Sequence, residues 1–169
     1  MGDCGILALN AVTQLDDIDL EETLSKYNLG RRLRHWLAAN GIENSNYFVE
    51  TIGPNGQRDF VLTIMEQQPN TGSAYVPMME TLDKNGLPVA PPLPNKDGDY
   101  LEQALGKPAM LQPRLPGQHV YNPTQKQVCA LARFIARMHL AMQHTDIEMP
   151  EYPRNLLWLQ THIDQAKGY

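Results

Sequence analysis

Cysteine is scarce in this chain. Cys4 and Cys129 are its only two, far apart and in no CxxC pair, which excludes a disulfide-stapled scaffold and a zinc ribbon and fits a reduced, cytoplasmic setting. No run approaches the ~20 apolar residues that a membrane-spanning helix needs. The opening Met1 to Leu9 is briefly apolar but has no basic stretch ahead of it, so it makes a poor secretory signal. Gly2 fails as a myristoylation site because Ile6 stands where Ser or Thr is needed. No Lys/Arg cluster extends into a basic stripe either. With net charge −5, pI about 5.5 and interspersed signs, the chain offers no track for a phosphodiester backbone, so neither nucleic acid nor membrane is an expected partner. An acidic protein still holds nucleotide where backbone N–H groups face phosphate.

What is present reads as a small sheet followed by helices. Residues 1–12 match nothing downstream and read as a disordered leader. Asp19 with Glu22 suggests a capping box, Leu20, Leu24 and Tyr27 mark one helical face, and Gly30 supplies a stop. From Arg31 the period becomes two: Leu33, His35 and Leu37 alternate with Arg32, Arg34 and Trp36. A polar turn follows over residues 39–45. Tyr47, Val49 and Thr51 alternate with Phe48 and Glu50, Gly53-Pro54-Asn55-Gly56 turns, and Phe60 to Met65 is apolar enough for a central strand. Val76, Met79 and Leu82 predict a helix ended by Gly86, with Pro88 preventing its return. Asn95-Lys96-Asp97-Gly98 predicts a hairpin turn, and two short strands are expected near Tyr100–Ala104 and Ala109–Pro113. Leu115-Pro116-Gly117 breaks the chain. Val128, Leu131, Ile135, Met138 and Met142 then predict an amphipathic helix of about 19 residues, with only a weak segment around Leu156–Ile163 to accompany it. Such a stripe implies a helical lobe whose remainder is missing.

Five segments in order carry a resemblance: Gly41-Ile42-Glu43-Asn44-Ser45-Asn46-Tyr47-Phe48-Val49-Glu50-Thr51, Phe60 to Glu66, Gly86 to Pro92, Gly106-Lys107-Pro108-Ala109 and Leu115-Pro116-Gly117. Together with Ala136 to Ala141 they resemble the type-II homoserine kinases of the aminoglycoside-phosphotransferase superfamily, over residues 13–160 and about the N-terminal half of such an enzyme. The resemblance implies an α+β, protein-kinase-like layout. A five-stranded antiparallel sheet with one packed helix would occupy residues 13–115, and an incomplete helical lobe residues 116–169. It implies ATP and Mg²⁺ as cofactors, L-homoserine as substrate, and phosphorylation of its hydroxyl in threonine biosynthesis.

The same resemblance places Asn44, Ser45 and Asn46 in a bend over the phosphates, where side-chain or backbone donors are useful; the plain reading is a hairpin closure. There is no GxGxxG. Thr63 stands where many kinases carry the strand-three lysine, and offers a neutral hydroxyl or simply a β-branched strand residue. That leaves Glu80 without its usual partner and makes it a solvated or hydrogen-bonded helix residue. Met110 to Leu115 resembles the inter-lobe hinge, with backbone groups near Gln112 and Arg114 hydrogen-bonding adenine and apolar neighbours, with Leu115 counted in the site, sandwiching it; Pro113 cannot donate. His139 and His144 are five apart and have no third ligand, so no metal site is expected. The His-Gly-Asp-x-x-x-x-Asn loop that orients the hydroxyl and holds metal in the superfamily does not occur between His139 and Tyr169, so no catalytic residue is expected here and the chain alone should be inert. Two other readings compete: a non-catalytic nucleotide-binding or interaction fragment, and a sibling kinase acting on another amino alcohol.

Overall fold

The structure, a computed structural model, describes residues 13–38, 44–66, 72–118, 120–148 and 155–167. The leader 1–12 and residues 39–43 of the polar turn lie outside the described residues.

Among the described residues nine elements follow in order: α1 (Asp17–Ser25), β1 (Arg31–Leu37), β2 (Asn44–Gly53), β3 (Gly56–Met65), α2 (Gly72–Lys84), β4 (Glu102–Ala104), β5 (Lys107–Pro113), α3 (Gln125–Met142) and α4 (Leu156–Ala166). The strands form one antiparallel sheet in the order β1-β2-β3-β5-β4. The expected sheet and its flanking helix are therefore observed.

α1 begins earlier than the sequence suggests. Its N-cap is Asp16, whose carboxylate accepts from the Ile18 and Asp19 N–H groups at 2.8 Å, while Asp19 reaches back to the Asp16 N–H. The Asp19–Glu22 box is thus displaced by three residues, because an Asp at either end serves as well as the usual Ser and Glu. Leu20, Leu24 and Tyr27 are buried as expected and join Tyr47, Val49, Phe60, Leu62, Ile64, Ala109 and Leu111 in one apolar cluster. That cluster fixes the parity of the sheet. Even-numbered β3 residues face α1, and Val61 and Thr63 face the other way, with their ladder partners Phe48 and Asn46 beside them.

β1 does not keep its expected alternation. The register shifts between Arg32 and Arg34, so Leu33 sits in a bulge and is exposed, while Arg32 and His35 face α1. α2 ends as predicted. The Leu87 N–H bonds the Leu82 carbonyl, the Gly86 N–H bonds that of Asp83, and Gly86 takes a positive φ of 69°, which together form a Schellman motif. The Asn95–Gly98 turn forms, but it joins an extended segment to β4 rather than two strands of a hairpin.

α3 is capped by Thr124 and Gln127 in a reciprocal box the periodicity did not reveal. Arg137 of α3 donates to the carbonyl of Gly86 at 3.0 Å, holding α3 against the end of α2. No residue of α3 or α4 is buried: Leu131 is 59% exposed, Leu140 66% and Leu156 85%.

Candidate functional site

Asn44, Ser45 and Asn46 are not in a bend. They open β2 and pair with Met65, Ile64 and Thr63, because the β2–β3 ladder runs up to the strand's first residue. Strand alternation then separates them. Ser45 faces α1 and is 1% exposed; its hydroxyl donates to Glu66 and accepts from the Thr13 N–H at 3.0 Å. Its side chain is therefore not available to a phosphate. Asn46 faces the opposite side, where the Thr63 hydroxyl donates to its Oδ1 at 2.7 Å. That bond uses the acceptor of Asn46 and leaves its amide NH₂ without a partner among the described residues. Thr63 supplies no charge. Glu80 behaves as the sequence suggests, accepting from the Tyr100 hydroxyl at 2.6 Å with Lys84 at 3.7 Å.

Next to this pair along the same face lie Trp36 and Phe48, with ring centroids 5.4 Å apart. The Arg114 guanidinium stands 4.3 Å from the Phe48 centroid and 5.6 Å from that of Trp36, and Arg34 stands 5.0 Å from Trp36 on its own side. Arg34 also clasps Glu50 through two bonds of 2.6 Å. Those hydrogen bonds, against the opposing effect of burial and with the charges of Arg34 and Arg114, hold the Glu50 carboxyl below its ordinary range. The sequence reading missed this aromatic–cationic cluster. Its signal was Trp36 and Phe48 falling on the parity opposite to the apolar core in two adjacent strands.

β5 presents the hinge residues, with one reassignment. The Arg114 N–H bonds the Asp59 carbonyl at 2.9 Å, so it is not free to meet a base as expected; what Arg114 offers is its side chain. The Gln112 side-chain amide, not its backbone, donates to the Ala90 carbonyl at 2.7 Å and the Tyr75 hydroxyl at 3.0 Å, which ties β5 to α2. The Leu111 carbonyl is taken by the Leu93 N–H. β5 ends at Pro113, and Leu115, two residues on, is exposed.

A second cluster also escaped the sequence reading. Glu66, whose side chain is 6% exposed, receives Lys107 Nζ, the Ser45 hydroxyl and the Thr13 N–H. Burial pushes its carboxyl up, but these donors outweigh burial and hold it down at about 2. Elsewhere, a cavity of about 280 Å³ opens on the α1 side between Glu21, Arg32, Thr51 and Lys96. Its polar groups bond within the protein: Arg32 to Asp17 and Glu21, Lys96 to the Ser25 carbonyl, Thr51 to the Leu29 carbonyl. It is not continuous in chemistry with the Asn46–Thr63 face. Among the described residues no group of three or more His, Cys, Asp or Glu side chains comes together to hold a metal ion, and no helix is long and apolar enough to cross a membrane.

Comparison with known proteins agrees with this layout. The chain is 34% identical over 152 residues to homoserine kinase of Pseudomonas aeruginosa, covering 89% of this chain and 46% of that protein. It is 36% identical over 155 residues to homoserine kinase of Cupriavidus pinatubonensis, covering 90% of this chain and 46% of that protein. The chain thus spans about half the length of the curated relatives it matches. The crystal structure of spectinomycin phosphotransferase in complex with ADP and spectinomycin superposes with a TM-score of 0.62 at 12% identity, over 90% of this chain and 48% of that one, which establishes a shared fold. Residues 37–168, most of the chain, match the model of the phosphotransferase enzyme family, and it is to this family that the chain belongs.

Proposed function

We propose that the chain is the nucleotide-binding portion of an ATP-dependent kinase that phosphorylates the hydroxyl of L-homoserine, acting in the cytoplasm. The observation that carries the nucleotide assignment is the Asn46–Thr63 pair, set on the sheet face opposite the apolar core beside the Phe48–Val61 pair. On that face Phe48 and Val61 form an apolar ceiling for a base. The Pro113 carbonyl would accept from the exocyclic amine of adenine and the Leu115 N–H would donate to the neighbouring ring nitrogen. Asn46 and Thr63 would offer neutral donors to phosphate oxygens, and Gln112 would hold the hinge against α2.

Mg²⁺ in such a kinase neutralises charge on the transferring phosphoryl group. Among the described residues no group of three or more His, Cys, Asp or Glu side chains comes together to hold it. The homoserine specificity rests on the two homoserine kinase relatives.

A chimera tests the assignment. This chain would replace the matching half of the Pseudomonas aeruginosa kinase, and ADP release would be followed with homoserine, choline and small amino alcohols. Homoserine-dependent turnover is expected. Turnover with another amino alcohol alone would move the chain to a sibling kinase. No turnover with any acceptor, despite ATP binding, would favour a non-catalytic nucleotide-binding fragment.

A further inference from the structure

The Glu66 cluster joins residues that are remote in sequence and belong to no nucleotide contact. Thr13 precedes α1, Ser45 is the second residue of β2, Glu66 follows β3, and Lys107 opens β5. Besides receiving Lys107 Nζ, Glu66 accepts from the Thr13 N–H at 2.8 Å, while Lys107 also reaches the Thr13 hydroxyl at 2.8 Å. The backbone of residues 13–15 is held from a second side by Tyr47, whose hydroxyl accepts from the Leu15 N–H at 2.8 Å and donates to the Thr13 carbonyl at 2.9 Å. The segment before α1 therefore crosses the ends of three strands, tied to them by side chains rather than by a ladder.

Its position relative to the other face decides what it does. In a strand, adjacent side chains lie on opposite faces, and a slip by one residue exchanges them. Pinning Ser45 to Glu66 on the α1 side therefore fixes Asn46 on the other side, directly opposite Thr63. Pinning Lys107 to the residue after β3 fixes where β5, with its hinge end, starts against β3. We infer that Glu66, Lys107 and Ser45 form an anchor, closed by the Thr13 N–H, that positions the Asn46–Thr63 pair for the phosphates of the nucleotide without touching them. This inference rests on the nucleotide reading above and assigns these three as positioning residues of that site.

The test compares ATP with adenosine, which lacks the phosphates, by titration calorimetry on the full chain and on its Ser45→Ala, Glu66→Gln, Lys107→Met and Lys107→Arg variants, with urea melts in parallel. In the unmodified chain ATP should bind more tightly than adenosine. Ser45→Ala, Glu66→Gln and Lys107→Met should weaken ATP by about tenfold, the scale of one charge-assisted hydrogen bond. Adenosine affinity should stay unchanged, and Lys107→Arg should retain most of the ATP preference. If Glu66→Gln does not fold, Ser45→Ala, which keeps the ion pair, carries the test. Equal weakening of both ligands, or of neither, would overturn the anchor while leaving the nucleotide reading intact. An unmodified chain that binds ATP no better than adenosine would overturn both.

Discussion

Tyr27 is the buried group whose chemistry is least satisfied. Its ring fills the core between α1 and the sheet, yet its hydroxyl has no hydrogen-bond partner among the described residues, and burial, with the Glu102 charge nearby, pushes its pKa far up. An unpaired buried hydroxyl costs free energy that a phenyl ring does not. Tyr27→Phe should therefore leave stability unchanged or raise it by about 1 kcal/mol in urea melts; a loss of that size would show that the hydroxyl has a partner. Glu66 is the opposite case. Its folded pKa of about 2 lies below the ordinary 4.5, so the carboxylate's contribution is complete above pH 4.5 and is lost as pH falls from there toward 2. The stability gap between the unmodified chain and Glu66→Gln should accordingly be widest at neutral pH and shrink below pH 4.5. A gap independent of pH would mean the carboxylate is not held ionised by Lys107, Ser45 and Thr13.

At the scale of elements, ends proved harder to read than middles. The apolar alternation of Phe60, Leu62 and Ile64 and the helical spacing of Leu20, Leu24 and Tyr27 were legible because each pattern reports directly on which side meets the core. The start of β2 was not. Asn, Ser and Gly carry turn chemistry locally, and only pairing with Met65, Ile64 and Thr63, some twenty residues on, makes a strand of Asn44–Asn46. The Leu33 bulge was hidden for the same reason. The Arg114 N–H was legible as a backbone donor but not as one already taken by Asp59, since that depends on a ladder with β3. The α1 cap offers a direct check on the reassigned boundary. Asp16→Ala should lower the melting temperature, Asp16→Asn should largely preserve it, and Glu22→Ala should leave it unchanged. Sensitivity at Glu22 instead would restore the later start.

For the whole molecule, the two ends of the chain differ in how their apolar surface is disposed. The sheet and α1 enclose a core, whereas the α3 stripe and much of α4 face solvent. Exposed stripes of this kind are rare on stable monomers and favour association. The chain should bind a hydrophobic dye, and Leu131→Gln with Ile135→Gln should reduce that binding while leaving the melting of the sheet in place. Unaltered dye binding would locate the exposed surface elsewhere.

The account depends on which side of the sheet receives nucleotide. Amide NMR shifts during an ATP titration test that directly. Shifts are predicted for Asn46, Phe48, Val61, Thr63 and Leu115, with Leu20, Leu24 and Tyr27 unmoved. Shifts confined to the α1 side around Arg32 and Lys96, or none at saturating ATP, would contradict it.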